Sequence, residues 1–277
     1  MFFYLLFSYI CCMRLFATIA IFTLFNIGLH AFNATDSLQV DTVLKPWSSR
    51  HTINLTNNGV SIVPAFSLGQ PAIIYTGSMG NSKFLWQPEV RMRYDGEPWS
   101  ALLWGRYIVP TKSKWTVTTA AHYALLFAPE ENNIDGTIVR SYDAKRYLGW
   151  QLTGSRPIND ALTVKYFSLL ARGWFKGAPN SLVQLHSLGM GVPSVELGRS
   201  TITIAPQIYY LNLNGPQGLF YAANYRLSLG KSDWSIDGMI SQPLVREAAL
   251  EVNPIVWNIG LSYNIAQDHQ KVIVPSL

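Results

Sequence analysis

Charge is scarce in this chain: Asp, Glu, Lys and Arg make up 13% of its 277 residues, about half the share of an ordinary soluble domain. So little charge leaves too few groups to cover a soluble surface. Cysteine is rarer still. Its two copies, Cys11 and Cys12, sit side by side near the start, so the rest of the chain has neither a disulfide framework nor thiolate metal ligands. Long apolar runs are missing beyond residue 31, where nothing approaches the roughly 18 consecutive apolar residues of a spanning helix. The five histidines, at 30, 51, 122, 186 and 269, are scattered without metal-ligand spacing. No basic stripe of the kind that tracks a phosphate backbone is present, which excludes nucleic-acid binding.

What is present is apolar and aromatic. Aromatic residues reach 13%, and mean hydropathy is positive at +0.14. Apolar composition without apolar runs means that apolar and polar residues are interleaved. A membrane β-barrel has this pattern, because lipid-facing and lumen-facing positions alternate along every strand.

Residues 1–31 stand apart as a nearly continuous apolar segment whose one charge is Arg14. Read from Met13, they have secretory form: a short positive start at Arg14, an apolar stretch from Leu15 to Ile27, and small or weakly polar residues ending at Ala31. The expectation is a cleaved signal peptide with Met13 as the true start. Residues 32–58 are more polar and read as a periplasmic lead-in, with room for a short plug or an extra strand at His51 to Leu55. Residues 59–266 form the transmembrane barrel, and 267–277 a C-terminal tail. Asn33-Ala34-Thr35 and Asn54-Leu55-Thr56 match a glycosylation sequon and are read as chance.

Period-two alternation governs the chain from about residue 60. Phe84, Trp86, Pro88, Val90, Met92 and Tyr94 share one face, and Leu85, Gln87, Glu89, Arg91 and Arg93 the other. Near the end, Ile255, Trp257, Ile259, Leu261, Tyr263 and Ile265 alternate with Val256, Asn258, Gly260, Ser262 and Asn264. Between 219 and 229 the apolar set at odd positions faces Phe220, Ala222, Asn224, Arg226 and Ser228. Turn chemistry at Gly69-Gln70-Pro71, Asp95-Gly96-Glu97-Pro98, Asn214-Gly215-Pro216 and Gly230-Lys231-Ser232-Asp233 separates the segments. The strands predicted are 60–68, 71–79, 83–94, 99–109, 115–127, 137–152, 161–173, 181–192, 200–213, 218–229, 233–242 and 254–265. The expected fold is all-β: a single antiparallel up-and-down transmembrane β-barrel of about twelve strands, within a range of about ten to fourteen. Longer connections near 128–136 and 243–253 should face outward. Trp99, Trp115, Trp150, Trp174, Trp234 and Trp257 lie near strand ends, as an aromatic girdle requires, whereas Trp86 and Trp104 lie further inside.

Ser67-Leu68-Gly69-Gln70-Pro71-Ala72, Gly96-Glu97-Pro98-Trp99-Ser100, Pro206-Gln207-Ile208-Tyr209-Tyr210 and Val256-Trp257-Asn258 resemble segments of an uncharacterised family of outer-membrane barrels from Gram-negative bacteria of the Bacteroides and Flavobacterium group. The resemblance covers most of residues 54–265. It implies an outer-membrane location and a barrel fold, and it brings no catalytic signature, substrate or functional residue.

The polar residues expected to line the lumen are Glu89, Arg91, Arg93, Arg106, His122, Lys165, Asn224, Arg226, Asp237 and Asn258. Such a lining sets solute selectivity through its local field, or its charges pair across the interior. Arginine outnumbers acid in the set, which favours an anionic solute. His186 and Ser187, adjacent on a strand, point to opposite faces and cannot serve as base and nucleophile. The reading is a non-enzymatic outer-membrane barrel that passes or binds small solutes or has a structural envelope role, with no cofactor and no metal. Its partners would be outer-membrane lipid and lipopolysaccharide, with the barrel-assembly machinery acting during insertion. Two alternatives stay open: a barrel enzyme acting on lipid or lipopolysaccharide through His122, and a soluble periplasmic β-protein that binds an apolar ligand.

Overall fold

The structure, a computed structural model, describes residues 47–269 except 64–65, 135–136, 176–177 and 251. The expected signal peptide, both cysteines, Met13 and residues 270–277 of the tail lie outside the described residues. Thirteen strands follow in order: β1 (Trp47–Thr56), β2 (Ala72–Gly80), β3 (Phe84–Arg93), β4 (Pro98–Val109), β5 (Thr116–Ile134), β6 (Thr137–Asn159), β7 (Leu162–Phe175), β8 (Ala178–Gly191), the short β9 (Val195–Leu197), β10 (Ser200–Leu213), β11 (Gln217–Ser228), β12 (Trp234–Arg246) and β13 (Val256–His269). Twelve of them pair in antiparallel order around a ring, and β9 adds only a small flap on β10.

The ring closes between β1 and β13, from Trp47 opposite His269 to Thr56 opposite Gly260. Closure leaves no open edge in the ring itself, and lipid could not satisfy the backbone N–H and C=O groups of such an edge. Side chains reinforce the seam on its inner face. Thr52 donates to Asn264 at 3.0 Å, Asn54 donates to Ser262 at 2.8 Å, and Asn258 donates to Thr56 at 3.2 Å. Twelve strands about 4.8 Å apart and tilted by about 40° give a backbone radius of about 12 Å. Side chains alone do not fill such an interior.

The two faces differ as the alternation predicts. Leu103, Leu148, Leu188, Ile208, Trp257 and Ile259 are each 46% exposed or more and face outward, while the intervening residues turn in. An apolar exterior running around the whole cylinder far exceeds the few hundred Å² that a soluble monomer leaves bare. Trp115 and Trp234 mark the outer surface at the end where β1 begins, here the lower end. Trp174 and Trp257 mark it near the upper end, and Trp150 faces outward between them. Trp99 and Trp104 do not belong to this girdle. A bulge opposite Arg91 and Met92 turns Trp99 inward, where it is 3% exposed and donates to the Phe66 carbonyl at 3.2 Å. Trp104 packs against the internal cluster.

Two segments depart from the sequence reading. Residues 47–56, placed in the lead-in, form β1 and complete the barrel, so His51 to Leu55 is a strand. Residues 60–68, read as the first strand, belong instead to the long upper connection 57–71. There Gly59 donates to Gln70 and Leu68 donates back to Gly59, at 2.8 and 2.7 Å. The segment is too apolar for an exposed loop, and Pro64 cannot donate to a ladder, so it folds inward. Residues 128–136 and 243–253 lie together at the upper end, but strands run into both. Phe127 to Ile134 continue β5 and pair with β6 alone, forming an eight-pair hairpin that rises above the rim. The upper connection between β12 and β13 tucks Leu250 into the interior at 2% exposure. Residues 267–269 extend β13 rather than starting a tail.

Candidate functional site

The lumen is divided by polarity. In the upper half, one arc of the inner wall is apolar: Leu169 and Ala171 on β7, Val183 and Leu185 on β8, Tyr209 and Leu211 on β10, and Phe220 and Ala222 on β11. Tyr209 and Phe220 stack with centroids 4.9 Å apart and planes 6° from parallel. A bare apolar wall facing water would be costly, and the two upper connections cover it. Val63 and Phe66 come from 57–71, Leu250 and Val252 from the β12–β13 connection, and all join the same cluster. Gly59 is required where the first of these turns in, since a Cβ there would meet Trp99 at 2.9 Å, Leu68 at 3.0 Å and Ala72 at 3.1 Å. The second is fastened by Arg246, which donates to the Leu250 carbonyl at 2.7 Å, and by Gln217, which donates to Glu247 at 2.9 Å. Together the two connections fold into the upper mouth and cover this arc of the wall.

Beneath these connections lies a cavity of about 400 Å³ walled by β1, β2, β8 and β10 to β13. Its polar lining is Thr52, Asn54, Ser61, Thr76, Ser187, Gln207, Asn224, Arg226, Asp237, Asn258 and Ser262, and its apolar lining includes Val60, Ile62, Ile74, Leu185, Tyr209 and Met239. The cavity therefore gathers four of the ten residues singled out from the sequence: Asn224, Arg226, Asp237 and Asn258. Arg226 is paired with Asp237 through its Nε. Asn258 is used structurally, accepting from the Met239 amide at 2.8 Å and donating to Thr56. Asn224 is exposed to the lumen, and its side chain makes no hydrogen bond among the described residues.

The other six lie elsewhere. Glu89 and Arg91 pair with each other on β3, and Arg91 also lies over Trp99 at 4.9 Å. Arg93 sits at the upper rim between Asp95 at 3.1 Å and Glu97 at 2.7 Å, and Arg140 from the raised hairpin reaches Glu97 at 2.5 Å. Arg106 donates to Gln87 and lies over Trp104 at 4.6 Å. Lys165, half-buried on β7, runs beside Gly191, where an added Cβ would meet its Cε at 3.3 Å. His122 is 5% exposed and packs on Trp104 with centroids 4.0 Å apart. Its ring covers Gly149 so closely that a Cβ there would come within 2.0 Å. The imidazole is thus wedged into the wall. His186 faces outward and stacks on Tyr210, while Ser187 faces inward and donates to Gln207 at 3.1 Å.

The arginine excess read from the sequence is largely matched within the structure, since Arg91, Arg93 and Arg226 each meet an acid. Thr52, Asn54, Thr76, Gln207 and Tyr209 were not identified from the sequence. An in-phase polar set at 52, 54 and 56 was available, but the lead-in reading of 32–58 hid it.

No protein-family model and no curated protein sequence matches this chain. Solved structures of similar shape include a KdgM porin in complex with disordered oligogalacturonate, at 10% identity and TM-score 0.46, covering 78% of this chain and 98% of that one. The beta domain of the Bordetella autotransporter BrkA is similar at 13% identity and TM-score 0.41, covering 79% and 98%. An outer membrane channel from Pseudomonas putida F1 is similar at 7% identity and TM-score 0.40, covering 87% and 100%. These likenesses transfer no residue role to this chain, whose fold is established by its own strand order: a closed twelve-stranded antiparallel β-barrel.

Proposed function

We propose that this chain is a non-enzymatic barrel of the Gram-negative outer membrane that holds small polar solutes in a lumenal chamber and does not conduct them freely. The observation that carries this reading is the packing of the two upper connections into the lumen, which we read as a stopper. Val63, Phe66, Leu250 and Val252 are packed on an apolar inner wall directly above a cavity lined with amides and hydroxyls. The lipid location rests on the continuous apolar exterior, which a soluble periplasmic β-protein would have to bury against a partner. Sidedness follows the general habit of such barrels, whose longer loops face the outside; this puts the stopped end outward and the lower end toward the periplasm. Outer-membrane lipid and lipopolysaccharide would contact the apolar band, and the barrel-assembly machinery would insert the chain.

The test is conductance in a planar lipid bilayer. The reading predicts rare, brief openings for the wild-type barrel and a stable open level once residues 60–68 are replaced by a short Gly-Ser linker. A wild-type barrel that conducts steadily at low voltage would overturn it.

A further inference from the structure

We infer that the chamber binds an uncharged, polyhydroxylated ring compound of sugar type, in preference to the anion suggested by the arginine count. This rests on the stopped-barrel reading above, because the chamber owes its roof to the connection 57–71.

The charge balance comes first. Among the described residues the cavity contains one cation and one anion, Arg226 and Asp237, and they pair with each other, so an anionic solute would have to compete with Asp237 for the guanidinium. A neutral solute leaves that pair intact, and the pair then offers it both a donor and an acceptor.

The unused hydrogen-bonding groups come second. Asn224 and Thr76 face the cavity without a side-chain hydrogen bond among the described residues. Gln207, which lines the cavity, accepts from Ser187, which leaves its amide N–H groups unused among the described residues, and Asn54 donates to Ser262, which leaves its carbonyl oxygen. These amides and the hydroxyl present donors and acceptors together, as vicinal hydroxyl groups require.

Shape comes third. Apolar Leu185, Tyr209 and Met239 form part of the same wall, and the C–H faces of a sugar ring need apolar surface as much as its rim needs amides. A volume of about 400 Å³ lies within the range of small-molecule sites, about 300–1,000 Å³.

The test uses the full chain refolded in detergent micelles, with saturation-transfer NMR on maltose, trehalose, glucose and glucuronate. Folding of each variant is checked by heat-modifiable gel migration. The expected result is transfer to at least one neutral sugar, weakened at least tenfold by Asn224→Leu and several-fold by Thr76→Val, with glucuronate no tighter than glucose. Glucuronate binding tenfold tighter than glucose would overturn the inference, as would neutral-sugar binding unchanged in both variants, or no binding by any neutral sugar. Each of these results leaves the stopped-barrel reading standing, since conductance measures that independently.

Discussion

Leu250→Ala should loosen the stopper without unfolding the barrel. Leu250 is 2% exposed although it lies in a connection, and its Cδ2 would be 3.1 Å from a Cβ added at Gly218, which places it against the start of β11 beside Phe220. Removing a buried leucine side chain costs about 2–5 kcal/mol in a core that relaxes only partly. Here the wall residues belong to the barrel and remain paired, so the loss falls on docking of the connection. At about 1.4 kcal/mol per tenfold, even about 2 kcal/mol raises the ratio of undocked to docked connection about 30-fold. In planar-bilayer recording this appears as an open probability higher by at least one order of magnitude, with single-channel amplitude set by the unchanged barrel. Leu250→Met, which keeps the volume, should behave as wild type. Equal open probability for Leu250→Ala and wild type, with both barrels folded, would refute the claim that this apolar contact holds the mouth shut.

Two further predictions concern the wall. Gly149→Ala drives a methyl into the His122 ring and should destabilise the barrel by about 1–3 kcal/mol of overpacking; adding His122→Ala should recover most of that loss in urea unfolding, and additive losses would show that the two do not touch. Ile259→Arg, on the outward face at 46% exposure, should cost about 2–4 kcal/mol when the barrel is unfolded from lipid. Asn224→Asp, facing the lumen beside Arg226, should change stability by less than about 1 kcal/mol. Equal costs for these two charges would contradict the assignment of inner and outer faces.

Much of the barrel was legible because one physical constraint repeats: a lipid-facing residue must be apolar and its neighbour need not be. That rule placed Trp86, Val90 and Met92 outside and Gln87, Glu89 and Arg91 inside, and it set the faces of β11 and β13. It failed where a segment is apolar for another reason. Val63 and Phe66 are apolar because they cap an internal wall, and Val60 and Ile62 because they roof the cavity; alternation cannot distinguish a cap from a strand. Conversely, β1 carries Ser48, Arg50, Thr52 and Asn54 inward, and this polar half made it look like a lead-in. Trp99 misled because a bulge, invisible in the sequence, reverses its direction. The site was legible in part. Asn224, Arg226 and Asp237 follow from phase alone, but which lumenal charges pair, and which arc of the wall is apolar, depends on strand neighbours that one sequence does not rank.

Nitroxide scanning along β13 tests the central claim most directly. Spin labels placed singly from 257 to 264 in the lipid-reconstituted barrel would be read for collision with oxygen and with a water-soluble nickel chelate. Labels at 257, 259, 261 and 263 should be reached by oxygen, and those at 258, 260, 262 and 264 by nickel, in strict alternation. Uniform access by either reagent, or an inverted phase, would mean that these strands do not wrap a hydrated interior within lipid.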